Sequence, residues 1–199
     1  MSAVVSGRAT ADATRDLATR WRAHGFHADG HRRLGRTALT VSALGFGAYR
    51  VDDETPAHRE ALEHALQSGC NLIDTSTNYA IGGSERCIGA TLADLIATGK
   101  LKREEVVIVT KVGYVQGDNL TLAHERERQR QPFPEMVKYD EHCWHCIHPE
   151  FIADQLARSL QRLRLECVDA YLLHNPEYFQ SKEVGAGRLD HRCRGQSHQ

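Results

Sequence analysis

Four short apolar runs, each separated from the next by a helical pattern, limit how this chain can fold. Residues 41–49, 71–74, 106–110 and 168–173 read as strands one to four. After the first, Thr55 is a good N-cap and Pro56 a good first helical residue. Ala61, Leu62, Ala65 and Leu66 then mark one helical face, and Gly69 suits the stop. A second helix opens near Ser84, with Glu85 at its positive end, a buried stripe of Ile88, Leu92, Leu95 and Ile96, and Gly99 as its end. A third opens at Pro149-Glu150, with Ile152, Leu156, Leu160 and Leu163 on one face. Alternation of this kind implies an α/β fold with a parallel sheet and right-handed crossovers.

The flanking and connecting segments carry weaker patterns. Residues 8–24, rich in Ala and Arg, read as a solvated helix in a surface arm. Two short apolar runs around Gly35 and Arg36 suggest a β-hairpin, suited to the bottom of a barrel. A polar loop of about 35 residues separates strand three from helix three. Residues 181–199 show neither stripe nor alternation, and disorder is expected there. The expected organisation is a partly helical arm over 1–30, a barrel-type domain over 31–180 and a tail over 181–199.

Composition excludes several classes of function. A chain of 199 residues, 41% hydrophobic, can bury one real core. Its formal net charge is -1 and no block of like charge reaches five residues, so nucleic acid is not the expected partner. No apolar stretch approaches the roughly 20 residues that cross a bilayer, so no membrane partner is expected. Arg8, Arg15, Arg20 and Arg22 hint at a transit peptide, but Asp12 and Asp16 oppose one, and no signal-peptide apolar region is present. Six cysteines in such a chain read as reduced thiols, and the expected location is cytoplasmic.

Four residues able to move or hold a proton follow or end these strand-like runs. Asp74 ends the second, Tyr79 lies five residues on, Lys111 follows the third and His174 follows the fourth. In parallel strands of one barrel, all would gather at the C-terminal rim, where such barrels do chemistry. Reducing an aldehyde or ketone needs a hydride at carbon and a proton at oxygen. A phenol is a weak acid, and a neighbouring ammonium favours its ionised form. Lys111 could supply that ammonium, Asp74 could hold the amine charged and in place, and His174 could orient the carbonyl oxygen. Each also has an ordinary reading: a surface tyrosine, polar strand ends, a turn-capping aspartate.

Other motifs compete. The run from His142 to His148, with Cys143 and Cys146 as a Cys-x-x-Cys, could bind metal or cycle as a dithiol, or be a plain loop. Gly45-Phe46-Gly47 lacks the third glycine of a dinucleotide fingerprint, since position 50 is Arg. Gly82-Gly83-Ser84 reads as a tight turn or an anion-holding helix start.

Five segments together resemble the aldo-keto reductases: Leu39 to Tyr49, Ile73-Asp-Thr-Ser-Thr-Asn-Tyr79, Gly83-Ser-Glu-Arg86, Val109-Thr-Lys111 and Leu172-Leu-His-Asn175. The match runs from about residue 33 to 180, in the right order. It implies a (β/α)8 TIM-type barrel, present as about four strand–helix units, and NADPH-dependent reduction of a small-molecule carbonyl. It also implies Tyr79 as acid, Lys111 as its tuner, Asp74 as the lysine's partner and His174 as carbonyl orienter, with Ala48 and Tyr49 edging the nicotinamide. A full barrel usually needs about 250 residues. The expectation is therefore a truncated chain, weak or inactive alone, binding NADPH poorly and prone to self-association through bare sheet edges. A non-catalytic half-barrel interaction protein and a metal or thiol module at Cys143–Cys146 are the alternatives.

Overall fold

The computed structural model of the chain describes residues 4–180. The expected tail over 181–199 lies outside the described residues. Two compact units make up the chain. The first holds residues up to Val112 together with Ala153–Leu172, and the second Gly113–Ile152 together with residues from Leu173 onward.

The first unit opens with α1, Ala11–Ala23, capped by Thr10, whose Oγ1 accepts from the Ala13 amide at 3.2 Å. This helix is no solvated arm: Thr14, Leu17 and Ala18 are buried. Those positions recur at helical spacing, a stripe hidden in the sequence by the many Ala and Arg residues around it. β1, His31–Arg33, and β2, Thr40–Ser42, form an antiparallel hairpin with Val41 opposite Arg32. Then come β3, Phe46–Gly47, α2, Pro56–Gln67, β4, Leu72–Asp74, α3, Gly83–Ala97, and β5, Val107–Val112. The unit ends in the latter part of α5, Pro149–Leu163, and β9, Ala170–Leu173.

The expected first strand, 41–49, is two elements. Ser42 Oγ donates to the Leu44 carbonyl at 2.8 Å and the chain bends there, so Val41 and Ser42 serve the hairpin while Phe46 and Gly47 serve the main sheet. That sheet has the order β3-β4-β5-β9. β3 and β5 both run parallel to β4, with Ile73 beside Phe46 and Ile108. Each face of the sheet carries a buried cluster. Leu62, Leu66, Ile73, Ile88, Leu92, Val106, Ile108 and Leu163 form the larger cluster, and Val107, Val41 and Ala9 a smaller one. Because side chains alternate along a strand, β5 sends Ile108 and Thr110 to one face and Val107, Val109 and Lys111 to the other.

The lower end of this sheet is fixed by a buried ion pair. Arg103 donates to Asp169 Oδ2 at 2.9 Å with both side chains almost fully buried. The same carboxylate accepts the Ile108 amide at 2.7 Å and, through Oδ1, the Ala9 amide at 2.7 Å. These extra bonds satisfy the oxygens that make an isolated buried pair costly.

The second unit falls where a long polar loop was expected. It contains β6, Tyr114–Val115, α4, Asp118–Arg128, β7, Val137–Lys138, and β8, Trp144–His145, with the sheet order β6-β8-β7. Strands of two residues are too short to show an alternating pattern, and α4 buries only Ala123. Neither leaves a trace in the sequence. A short α6, Glu177–Gln180, closes the described chain.

Two consequences can be measured. At Gly89 in α3, an added Cβ would lie 2.5 Å from the Arg162 carbonyl oxygen and 2.6 Å from that of Leu163. Helix propensity alone favours Ala over Gly by about 1 kcal/mol, whereas forcing atoms into a packed interface costs about 1–3 kcal/mol. Gly89→Ala should therefore lower the urea midpoint, and an unchanged or higher midpoint would contradict this packing. The second consequence concerns acid. Burial pushes His31 and, in the second unit, His145 below the ordinary histidine range. The unfolded chain takes up protons near pH 6.5 where these folded imidazoles resist them, so stability falls as pH drops through that value. The carboxylates held low, Asp52, Asp53, Glu125 and Glu177, add to the loss only near pH 4 and below. Urea unfolding at about pH 7.5 and about 5.5 should show the drop, and His31→Gln should reduce it.

Candidate active site

Lys111 stands near the C-terminal end of β5, on the face opposite Thr110, with its side chain 14% exposed. Its Nζ donates to Asp74 Oδ2 at 2.8 Å, to the Thr75 carbonyl at 2.8 Å and to Tyr79 Oη at 3.1 Å. An ammonium carries three N–H groups and no lone pair. All its donors are thus engaged, and Tyr79 Oη must accept. The phenol's own proton is not used on the lysine.

Local structure explains why these groups meet. Asp74 ends β4 and lies beside Val109 of β5, two residues before Lys111. The chain after β4 keeps pairing: the Thr75 amide donates to the Val109 carbonyl at 2.9 Å and that of Thr77 to the Lys111 carbonyl at 3.2 Å. Ser76 Oγ donates to Asn78 Oδ1 at 2.7 Å and tightens the turn that delivers Tyr79. Ala80, Ile81 and Gly82 then all have positive φ, at 48°, 50° and 80°. A β-branched residue in this region is strained, at about 1–3 kcal/mol. Such strain persists only where surrounding contacts over-determine the backbone.

Ala48 and Tyr49 adjoin this cluster. The Ala48 amide donates to the Asp74 carbonyl at 2.9 Å, and the Ala48 carbonyl accepts from Ser84 Oγ at 3.1 Å. Since Ser84 donates there, Thr75 Oγ1, 2.7 Å from Ser84 Oγ, is the donor to Ser84. A chain of bonds thereby links Lys111 through Thr75 and Ser84 to the buried backbone at Ala48. The Tyr49 ring is 61% exposed and stands edge-on to the Tyr79 ring, centroids 5.2 Å apart.

Beneath lies Glu85, which the sequence marks as a favourable charge at a helix start and as part of the segment Gly83–Arg86. Glu85 is fully buried, and its Oε1 accepts from Thr110 Oγ1 at 2.6 Å while Oε2 accepts from Arg162 Nε at 2.6 Å. It ties α3 to α5 and to the residue before Lys111. A charge excluded from water needs such a partner, but Arg162 lies 77 residues away, and nothing local announces it.

His174 belongs to the second unit, directly after β9. Its ring stands edge-on to Tyr114 at 4.8 Å, and its carbonyl lies 2.7 Å from His145 Nε2. Among the described residues, the His/Cys run included, no group of three or more His, Cys, Asp or Glu is placed to hold a metal ion. Cys146 is buried with its thiol toward the Pro134 carbonyl, and burial pushes the Cys143 thiol up to about 11. A thiol held that high is the opposite of a reactive one.

The profile of the Aldo/keto reductase family matches residues 43–191. The chain belongs to the aldo/keto reductase family. Its members are oxidoreductases of (β/α)8 TIM-barrel type, and this chain carries four of the strands in the order β3-β4-β5-β9. The family profile runs on into the stretch that the sequence reading set apart as a tail. An NADH-specific methylglyoxal reductase of Escherichia coli is 32% identical over 71% of this chain and 40% of its own length. The aldo-keto reductase yakc [NADP(+)] of Schizosaccharomyces pombe is 29% identical over 72% of this chain and 36% of its own. Among solved structures, the holo form of aldo-keto reductase AKR11C1 from Bacillus halodurans superposes with a TM-score of 0.55 at 26% identity, covering 78% of this chain and 47% of that one. The chain thus spans about two fifths of these curated relatives.

Proposed function

We propose that this chain reduces a carbonyl group of a small molecule to an alcohol, with Tyr79 as the proton donor. The observation that carries this reading is the saturated Lys111 ammonium. It turns the Tyr79 oxygen into an acceptor toward the lysine, so the phenol hydrogen is directed elsewhere. As that hydrogen passes to a carbonyl oxygen, the negative charge left on Tyr79 Oη lies 3.1 Å from a positive nitrogen. Preformed charge aimed at charge that develops in the reaction is a large contributor to catalysis. Asp74 holds the amine in place, and the Thr75 carbonyl fixes its third direction. His174, matching the family's strand-end histidine, is assigned the orientation of the carbonyl oxygen.

The family's members use reduced nicotinamide dinucleotides, which supply the hydride that carbonyl carbon receives. Ala48 and Tyr49 suit the nicotinamide edge: the Ala48 backbone is bonded at both amide and carbonyl, and Tyr49 offers a flat exposed ring beside Tyr79. NADPH is the form assigned. One relative named above is NADH-specific and another carries NADP(+) in its name, so both forms belong in the assay.

Purified protein with NADPH or NADH and a panel of aldehydes, methylglyoxal included, should consume the dinucleotide slowly. Tyr79→Phe should lower kcat by about 10²–10⁴-fold, and Lys111→Met should also lower it. Turnover that survives Tyr79→Phe would remove the assignment.

A second reading, a half-barrel that associates without catalysis, is favoured by one observation. Among the described residues β9 pairs only with β5, and its Leu172 and Leu173 are 46% and 47% exposed. An edge strand with exposed apolar residues is a template for association. Light scattering should show self-association, and a monodisperse monomer would refute it. Absence of turnover with every carbonyl in the panel, together with association, would favour this reading over the first.

A further inference from the structure

One residue of the His142 to His148 run bonds directly to the backbone of residue 174. We propose that His145 is a positioning residue for His174, fixing its main chain so that its imidazole keeps one orientation. This rests on the reading of His174 as the group that orients the carbonyl.

The bond is short and its direction is determined. His145 Nε2 lies 2.7 Å from the His174 carbonyl oxygen. A carbonyl can only accept, so Nε2 carries the hydrogen, and in the neutral ring Nδ1 carries a lone pair. Burial lowers the affinity of this imidazole for a second proton, which keeps the ring neutral.

Three costly features surround this bond. His145 is fully buried, a poor place for an imidazole that could be replaced by an apolar side chain. Its Nδ1 meets no hydrogen-bond partner among the described residues, and buried polar atoms without partners are rare. The backbone of Gly113 also passes so close that a Cβ there would lie 2.5 Å from the His174 carbonyl oxygen and nearer still to His145 Nε2. Only glycine admits that approach. The Cys146 amide holds this backbone in place by donating to the Gly113 carbonyl at 2.8 Å.

The surrounding rings serve the same pair. Tyr114 stands edge-on to His145 at 5.7 Å and to His174 at 4.8 Å, so one phenol ring contacts both imidazoles. Its Oη donates to Asn175 Oδ1 at 3.2 Å. Tyr178 stacks on His145 at 5.3 Å. Asn175 has φ 49°, a left-handed conformation that asparagine tolerates. The chain therefore turns sharply just after His174, and without His145 the carbonyl would lose this donor at that turn.

The test uses the full chain and nuclear magnetic resonance of its histidine rings. In the parent protein, ring ¹⁵N shifts should report His145 as the Nε2–H tautomer; an Nδ1–H tautomer overturns the proposal without any variant. His145→Leu removes the donor at similar bulk, and His174 ring signals should move toward those of a free histidine. His145→Gln carries an amide NH₂ near the position of Nε2 and should restore the parent's His174 signals. Both variants should melt below the parent, so melting alone does not decide. Unchanged His174 signals in His145→Leu, or equal loss in His145→Gln, would overturn the positioning role. In turnover, His145→Leu should lower kcat by about 10²-fold with KM for the dinucleotide unchanged. The ring signals need no turnover, so a parent that reduces no carbonyl would defeat the reductase reading and still leave this inference to be decided.

Discussion

A half-buried lysine ammonium must find three acceptors or return to water, and the first unit is built around that requirement at Lys111. Its three partners are a carboxylate, a main-chain carbonyl and a phenol, all drawn from the stretch 74–79. The pairing of β4 with β5 brings that stretch alongside, and the continued bonds from Thr75 and Thr77 hold it there. Once Lys111 is satisfied, the hydrogen-bond direction at Tyr79 is no longer a choice. A chemical property, which way a phenol gives its proton, thus follows from counting donors on a neighbouring amine.

The layer beneath keeps that arrangement rigid. β5 alternates, so the residue before Lys111 points the other way, and Thr110 bonds Glu85 of α3, itself paired with Arg162. Ser84 and Thr75 link the same helix start to the backbone of Ala48. The strained turn at Ala80 and Ile81 is held between these bonded points. Side chains that touch no candidate substrate still decide where Tyr79 and Lys111 stand.

In the second unit the same logic runs from a different residue. His145 sits in a costly environment whose features converge on one backbone carbonyl, that of His174. A motif that looks like metal or redox chemistry in the sequence is read better as a support, because spacing of His and Cys along a chain says nothing about the direction in which each side chain points.

The main sheet, its helices and the candidates Asp74, Tyr79 and Lys111, which the structure bonds together, were legible because period-2 and period-3.6 patterns, capping residues and strand-end polar groups are local properties. The first strand was read too long, since a bend set by a single serine hydroxyl leaves no periodic mark. The stripe on α1 was masked by alanines, and the two-residue strands of the second unit were too short to have a pattern at all. What the sequence determined by itself was which groups could share chemistry. What only the tertiary structure decided was which of them are bonded, in which direction and to what support: Glu85 to Arg162, Ser84 to Ala48, His145 to His174. Those contacts join segments tens of residues apart, and their energy comes from burial and hydrogen bonding that exist only once the chain has closed around them.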